Sequence, residues 1–282
     1  MGKSLSISKY FLVDNGSLRP DSILSLRKVA KNLSKLVQVE VFPIGLMHSH
    51  KVDPGLIGGE PALSVESLTS SEFSEESTEL IFIPFFFGPS LGIREWLPKK
   101  LNSWIGEHPT VSFRILGELF RSGDDRIARA LADHSRKKIR ESKMRNPSLA
   151  LVDHGTPLRE VNQVREQVGD ELEKLMSSEI SDFSTCSMER REGKEYDFND
   201  PLLESILKKW SENKDKDIQI LVAPLFLSPG RHAGEKGDLS QICSRFHCAE
   251  KNILIERSDL LGHHPLVLEV LRDRIAECKS FS

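Results

Sequence analysis

The stretch Leu149-Ala-Leu-Val-Asp-His-Gly-Thr156 decides the fold. Four apolar residues in a row, followed by Asp-His-Gly-Thr, read as a buried strand that stops abruptly at a polar turn. Downstream, Glu160 to Met176 has helical spacing, Phe183 to Met188 reads as a strand and Pro201 to Trp210 as a helix. Ile218-Gln-Ile-Leu-Val-Ala-Pro-Leu-Phe-Leu227 is a second buried strand, ending at Ser228-Pro229. Asn252 to Glu256 adds a strand, and Pro265 to Cys278 a closing helix.

The first half runs through the same order. Tyr10-Phe-Leu-Val13 leads into Asp14-Asn-Gly-Ser17, then an amphipathic helix from about Asp21 to Leu36. Val37 to Ile44, Leu80 to Phe87 and Thr110 to Ile115 read as strands, and Asp124 to Glu141 as a charged helix. Asp14 lies 139 residues before Asp153, and Pro84 lies 140 before Pro224. The helices Asp124–Glu141 and His264–Cys278 keep nearly the same offset. One order of elements occurring twice in near-constant register implies a duplicated domain. A polar cluster from Glu141 to Pro147 suggests the junction, giving domains 1–143 and 144–282. Strands alternating with helices predict two α/β domains, each a mostly parallel four-stranded sheet with helices on both faces.

A chain of 282 residues has room for two such cores. The net charge of −3 leaves no excess of Lys and Arg to neutralise phosphates, so a dedicated nucleic-acid binder is not expected. No run approaches the roughly 18 apolar residues that span a bilayer. The N-terminus lacks the apolar core of a signal peptide, and a cytoplasmic location is expected. Gly2 with Ser6 fits a myristoylation spacing, a short pattern common by chance. Cys186, Cys243, Cys248 and Cys278 form no CxxC pair and read as free, partly buried thiols.

In open parallel sheets ligands bind beyond the carboxyl ends of the strands. The loops there are Asp14–Ser17 and Gly88–Arg94 in the first half, and Asp153–Thr156 and Ser228–His232 in the second. The second pair carries one histidine each, His154 and His232. Two imidazoles converging on one sheet edge can bind a divalent metal or accept protons. The first half is an internal control. Asn15 holds the position of His154, and Gly92 or a neighbour that of His232. A purely structural role would more readily have been kept in both copies. His48 and His50 form an H-x-H, the common fate of which is an exposed loop. His263 and His264 are expected to be structural, and His108, His134 and His247 superficial.

These residues make the second half similar to the sirohydrochlorin chelatases, the class II chelatases of the CbiX type. Leu151-Val-Asp-His-Gly-Thr156 with Arg159-Glu-Val-Asn162 resembles the family's opening. Ala223-Pro-Leu-Phe-Leu-Ser-Pro-Gly-Arg-His232 with Gly237-Asp-Leu239 resembles its second motif, and Leu260-Leu-Gly-His-His-Pro265 its third. The first half matches only as a degenerate copy, through Asp14-Asn-Gly-Ser17 and Pro84-Phe-Phe-Phe-Gly-Pro89. The resemblance implies insertion of Co²⁺ or Fe²⁺, the metal being a substrate, into a sirohydrochlorin-type tetrapyrrole in cobalamin or siroheme biosynthesis. It implies His154 and His232 as metal ligands and catalytic residues. The family's third polar residue maps best onto Glu189, in Cys186-Ser-Met-Glu-Arg-Arg191, with His48 as its first-half counterpart.

Metal insertion displaces two pyrrole N–H protons, so the site must hold the ion loosely and take up protons. Arg159, Arg190, Arg191 and Arg231 adjoin the site and could pair with the carboxylates of such a ring. Asn15 is a further candidate for substrate binding. Leu225, Leu227 and Phe85–Phe87 are candidates for an apolar wall, but a buried strand explains them more simply. No organic cofactor is expected, and the chain lacks a Gly-x-Gly-x-x-Gly or Walker-type loop. The expected partner is a tetrapyrrole, with the protein a monomer or homodimer. One competing reading is a non-catalytic metal or tetrapyrrole binder of the same fold. Another is a histidine phosphotransferase, disfavoured because Asp153 would repel phosphate beside His154.

Overall fold

The computed structural model describes residues 7–69, 78–212, 217–247 and 252–280. Gly2, Ser6 and Cys248 lie outside them. Two compact units emerge, Met1–Leu119 with Leu268–Ser282, and Phe120–Val267.

The first unit begins with strand β1 (Ile7–Asp14), helix α1 (Pro20–Val37) and strand β2 (Val41–Gly45). The sequence reading starts this strand at Val37, but α1 runs that far and closes at Gln38, whose φ of 54° ends the helix. A two-residue strand β3 (Leu63–Ser64) leads into the short helix α2 (Val65–Leu68). Then come β4 (Thr78–Pro84), a π-turn over Gly92–Trp96, helix α3 (Leu97–Ile105) and β5 (Val111–Ile115). The sheet order is β3-β2-β1-β4-β5, and every pairing is parallel. The fifth strand, β3, is additional to the four expected.

The second unit takes helix α4 (Arg126–Glu141), then β6 (Ser148–Asp153), α5 (Arg159–Met176), β7 (Asp182–Ser187) and α6 (Leu203–Ser211). Strand β8 (Ile218–Pro224), helix α7 (Asp238–Phe246) and strand β9 (Ile253–Arg257) complete it before α8 (Pro265–Ser280). Its sheet is β7-β6-β8-β9, again parallel throughout. Both halves are doubly wound α/β, as the patterning implies. The near-continuous burial of Leu149 to Val152 and Ile220 to Ala223 is what a sheet covered on both faces requires.

The compact units divide the chain differently from the halves 1–143 and 144–282. α4 packs against α5 and β8, and Arg136 donates to Glu179 and to the Leu175 carbonyl, each at 2.8 Å. Most of α8 belongs instead to the first unit. There Arg274, 3% exposed, donates to the carbonyls of Glu118 and Leu119 at 2.8 and 3.0 Å. Each sheet thus receives its closing helix from the other half of the chain. A polar linker in the sequence marks the repeat, whereas the packing boundary follows whichever sheet face a helix covers.

Cys186, Cys243 and Cys278 are buried, and none of the three is in a disulfide. Burial pushes the Cys186 thiol far above its ordinary range, and that of Cys243 up to about 11.

Candidate functional site

The loop after β6 is shaped by its own residues. Asp153 Oδ1 accepts from the Gly155 amide at 3.1 Å, a tight Asx-type turn. Gly155 has φ +95°, and a Cβ there would stand 1.9 Å from the Glu189 carbonyl oxygen. Only glycine lets the loop after β7 come this close. The Met188 amide donates to the Asp153 carbonyl at 2.8 Å and the Glu189 amide to the His154 carbonyl at 3.2 Å. The two loops are therefore laced together, and Glu189 Oε1 stands 3.3 Å from His154 Nε2. Beneath the turn, buried Arg165 reaches Asp153 Oδ1 at 3.3 Å and Ser187 Oγ, while Ser187 Oγ donates to Asp153 Oδ1 at 2.6 Å.

His232 comes from the long loop after β8. Its carbonyl accepts from the Leu239 amide at 3.0 Å, and Gly237 passes so close that a Cβ would meet the His232 oxygen at 2.6 Å. Its ring Nδ1 lies 2.8 Å from Asp238 Oδ2. When Nδ1–H donates to that carboxylate, Nε2 keeps a free lone pair. The His154 and His232 rings meet edge-on, with centroids 4.2 Å apart and planes at 62°. His154 Nε2 is buried and makes no hydrogen bond. The Glu189 carboxylate stands at ion-pair distance from it, outside hydrogen-bond geometry.

The structure therefore brings together His154, His232 and Glu189. It adds Asp238, which the sequence reading quoted within Gly237-Asp-Leu239 of the second motif but gave no role. No group of three or more His, Cys, Asp or Glu side chains among the described residues is placed to enclose a metal ion. Two imidazoles with a neighbouring carboxylate can still hold a cation in an open coordination shell. An open depression of about 560 Å³ is lined by the two carboxylates, Glu189 and Asp238, with Met188, Glu204 and Arg245 among others; neither imidazole is in its lining.

The arginines differ. Arg231 is 77% exposed, 3.7 Å from Asp238. Arg159 lies over the Phe198 ring at 4.8 Å, and Arg191 over Tyr196 at 5.9 Å. Arg190 pairs with Asp197 at 3.0 Å and Asp200 at 3.1 Å, so a substrate carboxylate would have to compete for it.

The first unit repeats the backbone of this site without its chemistry. Gly16 has φ +79°, and a Cβ there would stand 1.7 Å from the Met47 oxygen. The Leu46 amide donates to the Asp14 carbonyl at 2.8 Å and the Met47 amide to the Asn15 carbonyl at 3.3 Å. By this lacing the counterpart of Glu189 is Met47, and His48 corresponds to Arg190, which corrects the alignment expected from sequence. Asn15 and Gly92 do sit together: a Cβ on Gly92 would lie 3.8 Å from Asn15 Oδ1 and 2.7 Å from the Leu46 side chain. Leucine thus crowds the place of the second imidazole. His48 is exposed, and His50 is bonded to Ser64 Oγ at 2.6 Å, so the H-x-H does not converge. His264 Nδ1 accepts from the Leu266 amide at 3.2 Å at the start of α8, the structural role expected. His134 and His108 bond backbone carbonyls, and His247 accepts from the Ile255 amide.

The CbiX family model matches residues 148–278. This stretch belongs to the CbiX family. The CbiX match covers both histidines, Glu189 and Asp238, and ends within α8. No curated protein matches the chain in sequence. Solved structures share its fold at low identity. SirB from Bacillus subtilis with Fe³⁺ aligns with TM-score 0.69 and 12% identity over 96% of this chain and 95% of that one. SirB from Bacillus subtilis subspecies spizizenii, a sirohydrochlorin chelatase in complex with cobalt, gives 0.65 and 11% over 96% and 94%. CbiX, described as the terminal enzyme for biosynthesis of siroheme in denitrifying bacteria, gives 0.60 and 16% over 96% and 98%.

Proposed function

We propose that this chain is a metal chelatase that inserts a divalent ion, Co²⁺ or Fe²⁺, into a sirohydrochlorin-type tetrapyrrole, in cobalamin or siroheme biosynthesis. The observation that carries the reading is the pair His154 and His232, edge-on at 4.2 Å, with a buried His154 Nε2 that has no hydrogen bond. Support comes from the CbiX match and from the shared fold of SirB, solved with Fe³⁺ and with cobalt.

In this reading the metal rests on the two imidazoles, and Asp238 holds the His232 ring in the tautomer that presents Nε2. Glu189, beside His154 and largely exposed, takes up a pyrrole proton as the ion enters the ring. The incomplete ligand set is suited to a cargo that must leave. In this reading Arg231, Arg159 and Arg191 pair with the ring's carboxylates, with Arg190 as a secondary contact.

The test is metal insertion into sirohydrochlorin with Co²⁺ or Fe²⁺, followed by the ring's absorbance change. His154→Ala and His232→Ala are each expected to lower the rate on the order of 100-fold or more. Unchanged rates in both variants would sink the assignment. Metal retained by the protein without insertion would favour a non-catalytic binder.

A further inference from the structure

The duplication supplies a template for a second feature, in the first unit. α1 and α5 superpose in register: Arg19 and Leu158 cap them, and the helices run from residues 20 to 37 and 159 to 176. Leu26 therefore stands where Arg165 stands. β1 and β2 pair Asp14 with Gly45 as β6 and β7 pair Asp153 with Ser187. In the second unit the Arg165 guanidinium fills the space under the turn, bonded to Asp153, Ser187 Oγ and the Asn199 carbonyl.

In the first unit this guanidinium is gone while its carboxylate remains. Asp14 Oδ1 accepts from the Gly16 amide at 2.8 Å, and among the described residues no cationic side chain pairs with Asp14. Leu26 reaches only as far as the stem of an arginine. Beyond it lies a cavity of about 150 Å³, lined by Asp14, Leu26, Phe42, Gly45, Ser49 and Arg27 among others. Arg27 also lines it, but its guanidinium is spent on the carbonyls of Ile57 and Glu60. Asp14, Glu60 and Arg27 leave the lining one negative charge in excess.

The geometry points to this cavity as a binding site for a small guanidinium-type monocation, held by Asp14 and Ser49 Oγ in the place that Arg165 fills in the other unit. Phe42, Pro43 and Ala62 make the wall apolar, which favours a planar, weakly hydrated guanidinium over a strongly hydrated ammonium or sodium ion. Burial raises the Asp14 carboxyl to about 6, consistent with a carboxylate that lacks a counter-ion.

The experiment is an NMR amide-shift titration of the full chain at about pH 8, where Asp14 is ionised, using guanidinium chloride well below denaturing levels. Ammonium chloride and sodium chloride are the comparison salts. The Gly16 and Ser17 amides are expected to shift saturably with guanidinium only. In Asp14→Asn the affinity falls at least about tenfold, the loss of one charge-assisted contact. In Leu26→Arg, which brings its own guanidinium, the response disappears. No saturable shift, an equal response to ammonium, or an undiminished response in Asp14→Asn overturns the site. The Asp14→Asn arm decides the matter even if Leu26→Arg fails to fold.

Discussion

Asp238 holds His232 by one hydrogen bond of 2.8 Å, and in the proposed chelatase that bond would choose which ring nitrogen faces the metal. Asp238→Asn should therefore slow insertion about 10–100-fold and weaken metal binding, with the pH profile of the rate displaced. A purely structural carboxylate would change stability alone. Asp14 makes the opposite case. Its carboxyl is raised from 3.8 to about 6 by burial, so the folded state binds a proton that the unfolded state has released. That contribution is present below about pH 4 and is lost as pH rises through 6. Asp14→Asn should stabilise the protein at pH 7 by up to roughly 3 kcal/mol, with no gain below about pH 4, in denaturant melts. At this scale the sequence carried His154 and His232, because each sits in a turn that a strand end announces. It did not carry Asp238 or the Arg165 network, since which carboxylate meets which ring or guanidinium is settled by tertiary packing.

Among the elements, the strand-end turns are the decisive pieces, and a glycine closes each. Gly155→Ala should cost more than about 1–2 kcal/mol, since both the positive φ and the Glu189 carbonyl oppose a Cβ. It should also separate Glu189 from His154 and lower the insertion rate. Gly16→Ala should destabilise similarly without touching the imidazole pair, so the two variants divide folding from catalysis. Buried strands were legible as unbroken apolar runs, and β6 and β8 end within a few residues of where the runs do. α3 was not legible, since Pro98 looks like a break although proline is tolerated in a first helical turn. The counterpart of Glu189 was misplaced by one residue. An offset of 139 to 140 fits β1, β4 and α1, but β2 and β5 lie 142 residues before β7 and β9, and the β2 and β7 loops are laced at that same offset.

For the whole chain, the sequence repeat and the packing units are different partitions. A fragment 144–282 keeps the histidines but lacks α4, whose buried face includes Ile127, Ala128 and Leu131. Because α8 has the register of α4, two such fragments can exchange it. The expected species in light scattering is a dimer or an aggregate, and a stable fragment monomer would contradict the assignment of α4 to the second unit. Adding residues 120–143 should restore a folded monomer.

The buried thiols bear on what the protein carries. Thiolates hold soft transition metals more firmly than imidazoles do, and a cargo ion that found one would not be passed on. Cys186 lies on the strand that leads to Glu189, yet it is fully enclosed and its thiol strongly disfavours losing its proton. Cys243, on the helix that begins with Asp238, is likewise held as the neutral thiol. Both should stay unreactive to thiol reagents until the protein unfolds. In the proposed chelatase, delivery would depend as much on this withdrawal of the stronger ligands as on the presence of the weaker ones.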